Sequence, residues 1–217
     1  MGANKHSLLK NCIYNENGAI VEIGSGFSST PELQSIAYEK KLSFFCVDVL
    51  PYRHEICDYS NYYQMSGEDF FRDIFPTFNK KIVAAYLDNF DWTWDPIKMM
   101  QEKETHPAYN QYVEYANNGV FLSNVNSAIA HLKQTEAIEK YCVSGTLLLY
   151  DDTWFNLNDE VFLGKGCAGI YYLLSRGWEL YEPLTQKQIF TDMRENVYNQ
   201  YTRFLNKEIS HILLRNP

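Results

Sequence analysis

The sequence predicts an α/β protein in which helices cover both faces of a doubly wound, mostly parallel sheet. Short apolar segments alternate along the chain with segments of helical periodicity, as in proteins built from strand–helix–strand units. Several of these apolar segments are continuous, which is typical of parallel strands buried on both faces. We therefore expect right-handed connections and a ligand site at the carboxyl ends of the strands.

The first half of the chain is predicted to alternate strands with helices after an N-terminal helix or arm at residues 1–17. The sequence Ser29-Thr30-Pro31-Glu32 is typical of a helix cap and first turn. Glu68 and Asp69 fit the first turn of another helix, which Pro76 should end. The predicted strands are residues 18–23, 43–47, 61–65 and 81–87, and the predicted helices are residues 30–40 and 67–75.

The second half begins with a polar, aromatic segment at residues 91–118, which is too long for an ordinary connection. We interpret this segment as a lid or substrate insertion with some helix. No repeat or linker interrupts the chain, so a single domain over residues 1–217 is expected. The remaining predicted elements are a helix at 120–141, a strand at 145–150, a helix at 164–175, a closing antiparallel pair at 178–181 and 188–191, and a helical segment at 193–212.

Composition argues against several classes of function. The net charge is −8, whereas binding along a nucleic-acid backbone usually needs a basic face. No apolar run approaches the roughly 18 residues needed to span a bilayer, and the N-terminus lacks the apolar core of a signal peptide. The five cysteines are scattered, with no C-x-x-C pair, which favours a reduced, cytoplasmic location.

The strand at residues 18–23 leads into Gly24-Ser25-Gly26, and a helix follows. Strand, glycine turn and helix together favour a nucleotide-like ligand, although Ser28 or Ser29 replaces the third glycine of the dinucleotide fingerprint. Asp48 ends the second strand, where an acid can accept hydrogen bonds from ribose hydroxyls. A solvated turn aspartate is the alternative. Glu68 and Asp69 could equally contact an adenine or complement a helix N-terminus.

Two later apolar strands end in acids, namely Asp88 and the pair Asp151-Asp152. Three converging carboxylates are costly without a cation, and oxygen ligands suit Mg²⁺. In the alternative, one carboxylate caps a loop and the others face solvent. A metal-bound hydroxyl needs a base to take its proton. Asp88 and His131 are the candidates, although a lone helix histidine is more often structural.

These residues resemble those of class I S-adenosylmethionine-dependent methyltransferases. The run Val21-Glu22-Ile23-Gly24-Ser25-Gly26 looks like motif I of that family, and Asp48 stands at the place of its ribose-binding acid. The run Met65-Ser66-Gly67-Glu68-Asp69 is similar to its adenine-contacting segment. Leu87-Asp88 and Tyr150-Asp151-Asp152-Thr153 look like the metal-ligand pairs of divalent-metal-dependent O-methyltransferases, of the catechol and the macrolide or aminocoumarin sugar type.

The resemblance implies a seven-stranded sheet, S-adenosylmethionine as cofactor, and a hydroxyl of a small molecule or sugar as acceptor. It implies that Glu22 orients the glycine turn and that Asp48 holds the ribose. The other implied site residues are Gly24, Ser25 and Gly26 beside the methionine part, Gly67 and Glu68 on the adenine side, and Asp88, Asp151 and Asp152 around Mg²⁺.

The resemblance has gaps. Catechol O-methyltransferase has a lysine three residues after its first metal aspartate, where this chain has Asp91. The segment 91–118 matches nothing in the family, so the acceptor is not identified, and a homo-oligomer is left open. The run Asp88-Asn89-Phe90-Asp91 is not the [Asp/Asn]-Pro-Pro-[Tyr/Phe] signature of amino-methyltransferases, which argues against methylation of nucleic-acid bases. The alternatives are a catalytically silent, methyltransferase-like binding module and, less favoured, a nicotinamide-dependent oxidoreductase.

Overall fold

A mixed α/β fold is seen in the computed structural model of the protein, which describes residues 5–14, 17–89, 96–106, 109–156, 159, 161–181 and 211–217. Nine strands occur among these residues. They are β1 (Ala19–Ile23), β2 (Ser43–Asp48), β3 (Tyr62–Gln64), β4 (Ile82–Leu87), β5 (Cys142–Asp151), β6 (Thr153–Asn156), β7 (Val161–Gly164), β8 (Glu179–Leu180) and β9 (His211–Arg215).

Seven of these strands form one sheet in the spatial order β3-β2-β1-β4-β5-β9-β8. The strands β1 to β5 pair in parallel, and β9 runs antiparallel to both β5 and β8. The predicted mostly parallel, seven-stranded sheet with a closing antiparallel strand is therefore confirmed. Because the chain steps outward from β1 through β2 to β3 and then returns to β4, the order reverses between β1 and β4. Ligands of open α/β sheets bind in the crevice at such a point.

The helices lie where the sequence predicts them, with shifted ends. They are α1 (Lys5–Cys12), α2 (Ser29–Glu39), α3 (Gly67–Asp69), α4 (Pro96–Glu102), α5 (Tyr109–Asn117), α6 (Asn124–Glu139) and α7 (Cys167–Ser175). The predicted helix at 67–75 is irregular, since α3 continues as a π turn (Phe70–Ile74) and a 3-10 turn (Phe75–Phe78). Pro76 lies at the start of that 3-10 turn and does not end the helix.

Two apolar layers enclose the sheet, one on each face. Side chains alternate between the layers along β5, where Leu147 and Leu149 pack on one face and Leu148 packs on the other. Leu33 and Ile36 of α2 cover the first face, and Ile170 of α7 covers the second. Because both faces are buried, the central strands need apolar side chains at nearly every position, which explains their continuous apolar sequences.

The C-terminal part differs from the expectation. The strand β8 pairs with β9, and the expected partner at residues 188–191 lies outside the described residues. The predicted helical segment at 193–212 is wrong at its last two residues, which belong to β9, while residues 193–210 also lie outside the described part. The hairpin of β6 and β7 was not predicted. Among the described residues, no helix has the length and apolar character needed to cross a membrane.

The carboxyl ends of β1, β2 and β4 approach one another closely at Gly24. The amide of Gly24 donates a hydrogen bond to the carbonyl of Val47, and the amide of Asp88 donates to the carbonyl of Ile23. Gly24 has a φ of +92°, and a Cβ placed on it would lie 2.5 Å from the backbone nitrogen of Asn89. This position therefore requires glycine both for its conformation and for the space around it.

Replacing Gly24 by alanine should destabilise the fold more than the same change at Gly26. The added methyl group at Gly24 meets backbone, whereas at Gly26 it meets the hydroxyl of Ser29 at 2.7 Å, and a side chain can rotate away. We expect Gly24→Ala to lower the free energy of unfolding by about 2–4 kcal/mol and Gly26→Ala by less than about 1 kcal/mol. Urea denaturation measures both values, and equal losses would contradict this explanation of Gly24.

Candidate functional site

A cleft opens at the carboxyl ends of β1, β2, β3 and β4, at the reversal of strand order. It holds about 430 Å³ of empty space, counted together with its open mouth. Its wall combines predicted site residues with residues from the insertion and from α6. The lining residues are Ile23, Val47, Asp48, Val49, Met65, Ser66, Gly67, Glu68, Asn89, Tyr115, Val120 and Gln134.

Asp48 lies in this wall, where the sequence predicts the ribose ligand. Its Oδ2 accepts hydrogen bonds from the backbone nitrogen and the hydroxyl of Ser25, both at 2.7 Å. Its Oδ1 accepts one from the backbone nitrogen of Leu50 at 2.9 Å. The carboxylate is thus fixed in direction by donors from two loops. Since Oδ2 already has two donors, Oδ1 has the free acceptor capacity for a ligand hydroxyl.

Glu68 lies on the same wall, one residue after Gly67. Ser66 caps α3 by accepting a hydrogen bond from the backbone nitrogen of Asp69 at 3.1 Å and donating one to its carboxylate at 2.8 Å. Asp69 therefore contacts the N-terminus of α3. Of its two predicted roles, this favours complementing the helix N-terminus over contact with an adenine. The carboxylate of Glu68 instead accepts a hydrogen bond from Gln134 at 3.3 Å across the cleft wall.

Two amide side chains of the cleft have an acceptor atom without a hydrogen bond. Asn89 Oδ1 and Gln134 Oε1 are buried and have no hydrogen-bond partner among the described residues. A buried, unpaired carbonyl oxygen costs about 1–3 kcal/mol, so each of these two atoms calls for a donor such as a water molecule or a bound ligand. Sequence reasoning missed both residues. Asn89 had a signal, because it directly follows Asp88.

The insertion also contributes to the cleft. Tyr115 of α5 is buried and lines the wall, as does Val120. Arg53, in the loop after β2, forms an ion pair of 2.6 Å with Glu114 of α5. The guanidinium of Arg53 also lies 5.7 Å from the ring centre of Phe27. The insertion thus contacts the loop that follows Asp48, although residues 91–95, 107 and 108 of the insertion lie outside the described part.

Glu22 is fully buried in the middle of the sheet, beneath the glycine turn. Its two carboxyl oxygens form no hydrogen bond of normal geometry with the described residues. Burial raises the pKa of Glu22 from 4.5 to about 8, although the hydroxyls of Ser29 and Thr30 act to lower it. The carboxyl group is therefore mostly protonated at neutral pH, so it does not orient the turn as a charged group.

The three predicted metal ligands do come together at the ends of β4 and β5. The hydroxyl of Tyr86 donates to Asp151 at 2.7 Å and lies 3.0 Å from Asp88. The ammonium of Lys165 lies 2.6 Å from Asp88 Oδ1 and 3.2 Å from Asp152 Oδ2. We call Asp88, Asp151 and Asp152 the Asp cluster. The convergence is as expected, but the chain itself supplies a cation that the sequence did not predict.

Lys165 is fully buried, which is rare for a lysine unless it is paired. Burial alone would lower the pKa of Lys165, but the carboxylates of Asp88, Asp152 and Asp151 offset this effect and raise the pKa above its usual value. The side chain is therefore an ammonium at all ordinary pH values. The available sequence signal was a lysine between two glycines, Gly164-Lys165-Gly166, shortly after the aspartate pair.

His131, the second candidate base, is fully buried on α6. Its Nδ1 lies 2.8 Å from the carbonyl oxygen of Ser127, so Nδ1 carries the proton, and its Nε2 has no hydrogen bond of normal geometry among the described residues. Burial, together with the nearby ammonium of Lys165, lowers the pKa of His131 to about 3. A buried imidazole of such low basicity is poorly suited to take a proton from a ligand in the cleft, so its role as base is disfavoured.

The predicted Mg²⁺ site does not fit the described residues. Among them, no three histidine, cysteine or acidic side chains are arranged to hold a metal ion. Lys165 Nζ lies between Asp88 and Asp152, where a metal shared by these carboxylates would lie. We therefore assign no metal-dependent step to the Asp cluster.

The titration of Glu22 leads to a test of stability against pH. The folded protein keeps this carboxyl protonated up to about pH 8, whereas the unfolded chain ionises it above about pH 4.5. Stability should therefore fall as pH rises through this window. Glu22→Gln removes the titration. Its free energy of unfolding, relative to that of the parent, should therefore rise with pH by up to about 1.4 kcal/mol per pH unit.

Urea denaturation of both proteins at several pH values between 4.5 and 8 measures this difference. The exposed Glu136→Gln of α6 is the control and should follow the parent at each pH. If the difference between Glu22→Gln and the parent does not change with pH, the carboxyl is not protonated in the fold.

No family model and no curated protein matches the sequence. The apo structure of CalS11, a TDP-rhamnose 3'-O-methyltransferase in calicheamicin biosynthesis, is similar with a TM-score of 0.46 and 12% identity, over 98% of this chain and 80% of that chain. A second structure of CalS11, named as a calicheamicin methyltransferase, gives a TM-score of 0.43 and 12% identity over the same shares. Likenesses this distant carry no argument about function, which must rest on the geometry of the chain itself.

Proposed function

We propose that the protein is an S-adenosylmethionine-dependent O-methyltransferase that acts on a hydroxyl of a small molecule or sugar. The observation that carries the proposal is the cleft at the reversal of strand order. There an acid at the end of β2 lies beside the glycine turn. Asn89 and Gln134, whose side-chain oxygens have no hydrogen-bond partner among the described residues, line the same cleft. A nucleoside with an amino acid part supplies hydroxyl, amino and ammonium donors for these acceptors.

Each wall of the cleft would hold one part of the cofactor. Asp48 Oδ1 would accept from the ribose hydroxyls, since Ser25 already occupies Oδ2. Glu68 and Gln134 would border the adenine, where Gln134 Oε1 can accept from an amino group. The backbone of Asn89 lies next to Gly24, and its Oδ1 would accept from the ammonium of the methionine part. Gly24, Ser25 and Gly26 would let the backbone approach that part closely.

The bound cofactor would supply a methyl group on a positively charged sulfur, which needs little further activation. The protein would then contribute mainly by positioning the acceptor in line with that methyl group. Asp88 is our candidate base, because its carboxylate is partly exposed and it directly precedes Asn89, which lines the cleft. Lys165 and Tyr86 fix its two oxygens. Asp88 would take the proton of the acceptor hydroxyl as that oxygen receives the methyl group and the bond from the methyl carbon to sulfur breaks, leaving S-adenosylhomocysteine.

Two other functions remain to be separated from this one. A methyltransferase-like binding module would bind the same nucleoside without turnover. A nicotinamide-dependent oxidoreductase would need room for a pyrophosphate at the glycine turn, where this chain has Ser28 and Ser29 in place of the third glycine. The proposal also includes a cytoplasmic location and no nucleic-acid partner, in line with the net charge of −8.

Calorimetric titration with S-adenosylhomocysteine tests the cofactor part of this proposal. The parent protein should bind it, and NAD should compete weakly or not at all. Release of S-adenosylhomocysteine from S-adenosylmethionine, screened against small-molecule and sugar alcohols, then separates the enzyme from a silent module. If S-adenosylhomocysteine does not bind, the proposed function is wrong.

Asp48→Asn should weaken the binding of S-adenosylhomocysteine about tenfold or more, because an amide offers one acceptor oxygen where the carboxylate offers two. Asp73→Asn is the control, since Asp73 is an exposed residue paired with Arg72, and it should bind like the parent. Equal affinity of Asp48→Asn and Asp73→Asn would remove Asp48 from the site. Circular dichroism of both variants checks that the fold is kept.

A further inference from the structure

The Asp cluster contains a cation that belongs to the chain. Lys165 Nζ bridges the ends of two strands, because Asp88 follows β4 while Asp152 follows β5. Tyr86 adds a second bridge by donating to Asp151 and lying within hydrogen-bond distance of Asp88. The ammonium and the phenol together hold the three carboxylates at fixed separations.

Lys165 is fixed by its backbone as well as by its ion pairs. Its backbone nitrogen donates to the carbonyl of Asp152 at 3.1 Å, and the next backbone nitrogen, that of Gly166, donates to the hydroxyl of Thr153 at 2.9 Å. A Cβ on Gly164 would lie 2.0 Å from the carbonyl oxygen of Asp152. The two glycines therefore let the turn between β7 and α7 lie directly on the end of β5, so the lysine enters the cluster from a rigid base.

A divalent metal and Lys165 would compete for the same place. Mg²⁺ requires ligand oxygens at about 2.0–2.1 Å in nearly octahedral arrangement. A metal shared by Asp88 and Asp152 would need the two oxygens that contact Nζ at 2.6 and 3.2 Å. Two cations within a few ångströms repel each other strongly in a buried site. The side chain of Lys165 is fully buried, so its ammonium depends on these carboxylates in place of water.

We propose that Lys165 is a built-in cation of the Asp cluster, which takes the place of a divalent metal, keeps such metals out and orients the carboxylate of Asp88. The exclusion of metal is independent of any reaction. The orientation of Asp88 toward an acceptor rests on the proposed function, and in that reaction Lys165 is a positioning residue, since it is buried away from the cleft.

Removing the charge should convert the cluster into a metal site. Lys165→Met replaces the ammonium by an uncharged side chain of similar length and leaves three carboxylates without their cation. We expect this variant to bind Mn²⁺ at least about tenfold more tightly than the parent, since carboxylate charge sets the affinity for hard divalent ions. The electron paramagnetic resonance signal of free Mn²⁺ at neutral pH measures the binding. The exposed Lys133→Met should bind like the parent.

The double variant Lys165→Met/Asp152→Asn should lose the gained Mn²⁺ binding, because it lacks one of the proposed ligands. Thermal unfolding gives a second measurement, in which Mn²⁺ should raise the melting temperature of Lys165→Met and leave that of the parent unchanged. If Lys165 had a merely structural role, its replacement would weaken the fold without creating a metal site. Lys165→Met that folds but binds Mn²⁺ no better than the parent would therefore contradict the proposal.

The parent protein provides a test that does not depend on the folding of Lys165→Met. If the parent binds Mn²⁺ and Asp152→Asn does not, the proposal is overturned, because the metal and Lys165 would then share the Asp cluster. No such binding is the expected result. Failure of the parent protein to bind S-adenosylhomocysteine is a separate outcome. It would overturn the proposed function and leave the result with Mn²⁺ unaffected.

Discussion

Lys165 and the Asp cluster set a condition that much of the site must meet. An ammonium with no exposed surface is tolerated only if opposite charges and hydrogen bonds replace the water it has lost. Asp88 and Asp152 meet this need from the ends of two neighbouring strands, and the flanking glycines let the lysine reach them. The charge pairing thus ties the turn before α7 to the edge of the sheet where the cleft opens, and it fixes the direction of Asp88.

The polar side chains of the cleft differ in how many hydrogen bonds they form within the fold. Asp48 is held by Ser25 and Leu50, whereas Asn89 and Gln134 each keep a buried oxygen without a partner among the described residues. A fold tolerates such atoms at a cost in stability, and the cost is recovered when a ligand supplies the donors.

Glu22 and His131 illustrate how burial changes the meaning of a residue. Both are ionisable side chains close to the glycine turn or the Asp cluster, and both are fully buried. Burial raises the pKa of Glu22 to about 8 and lowers that of His131 to about 3, so each is mostly neutral at pH 7. Their polar atoms therefore act, if at all, through hydrogen bonds and not through charge. Asp88 keeps partial exposure and a fixed orientation, which suits proton transfer better.

The sequence by itself determined the class of fold and the position of the glycine turn after β1. It also determined that Asp48 ends β2 and that the three acids of the Asp cluster meet. These features are local, since continuous apolar strands must be buried on both faces and the ends of parallel strands share one edge. Tertiary structure alone decided that Lys165 is the cation that pairs with the Asp cluster, because Lys165 is 77 positions from Asp88 in the sequence. It also decided that Asn89 and Gln134 share a cleft and that His131 is buried. Pattern and spacing report on neighbours along the chain, whereas charge pairing and burial depend on contacts between distant segments.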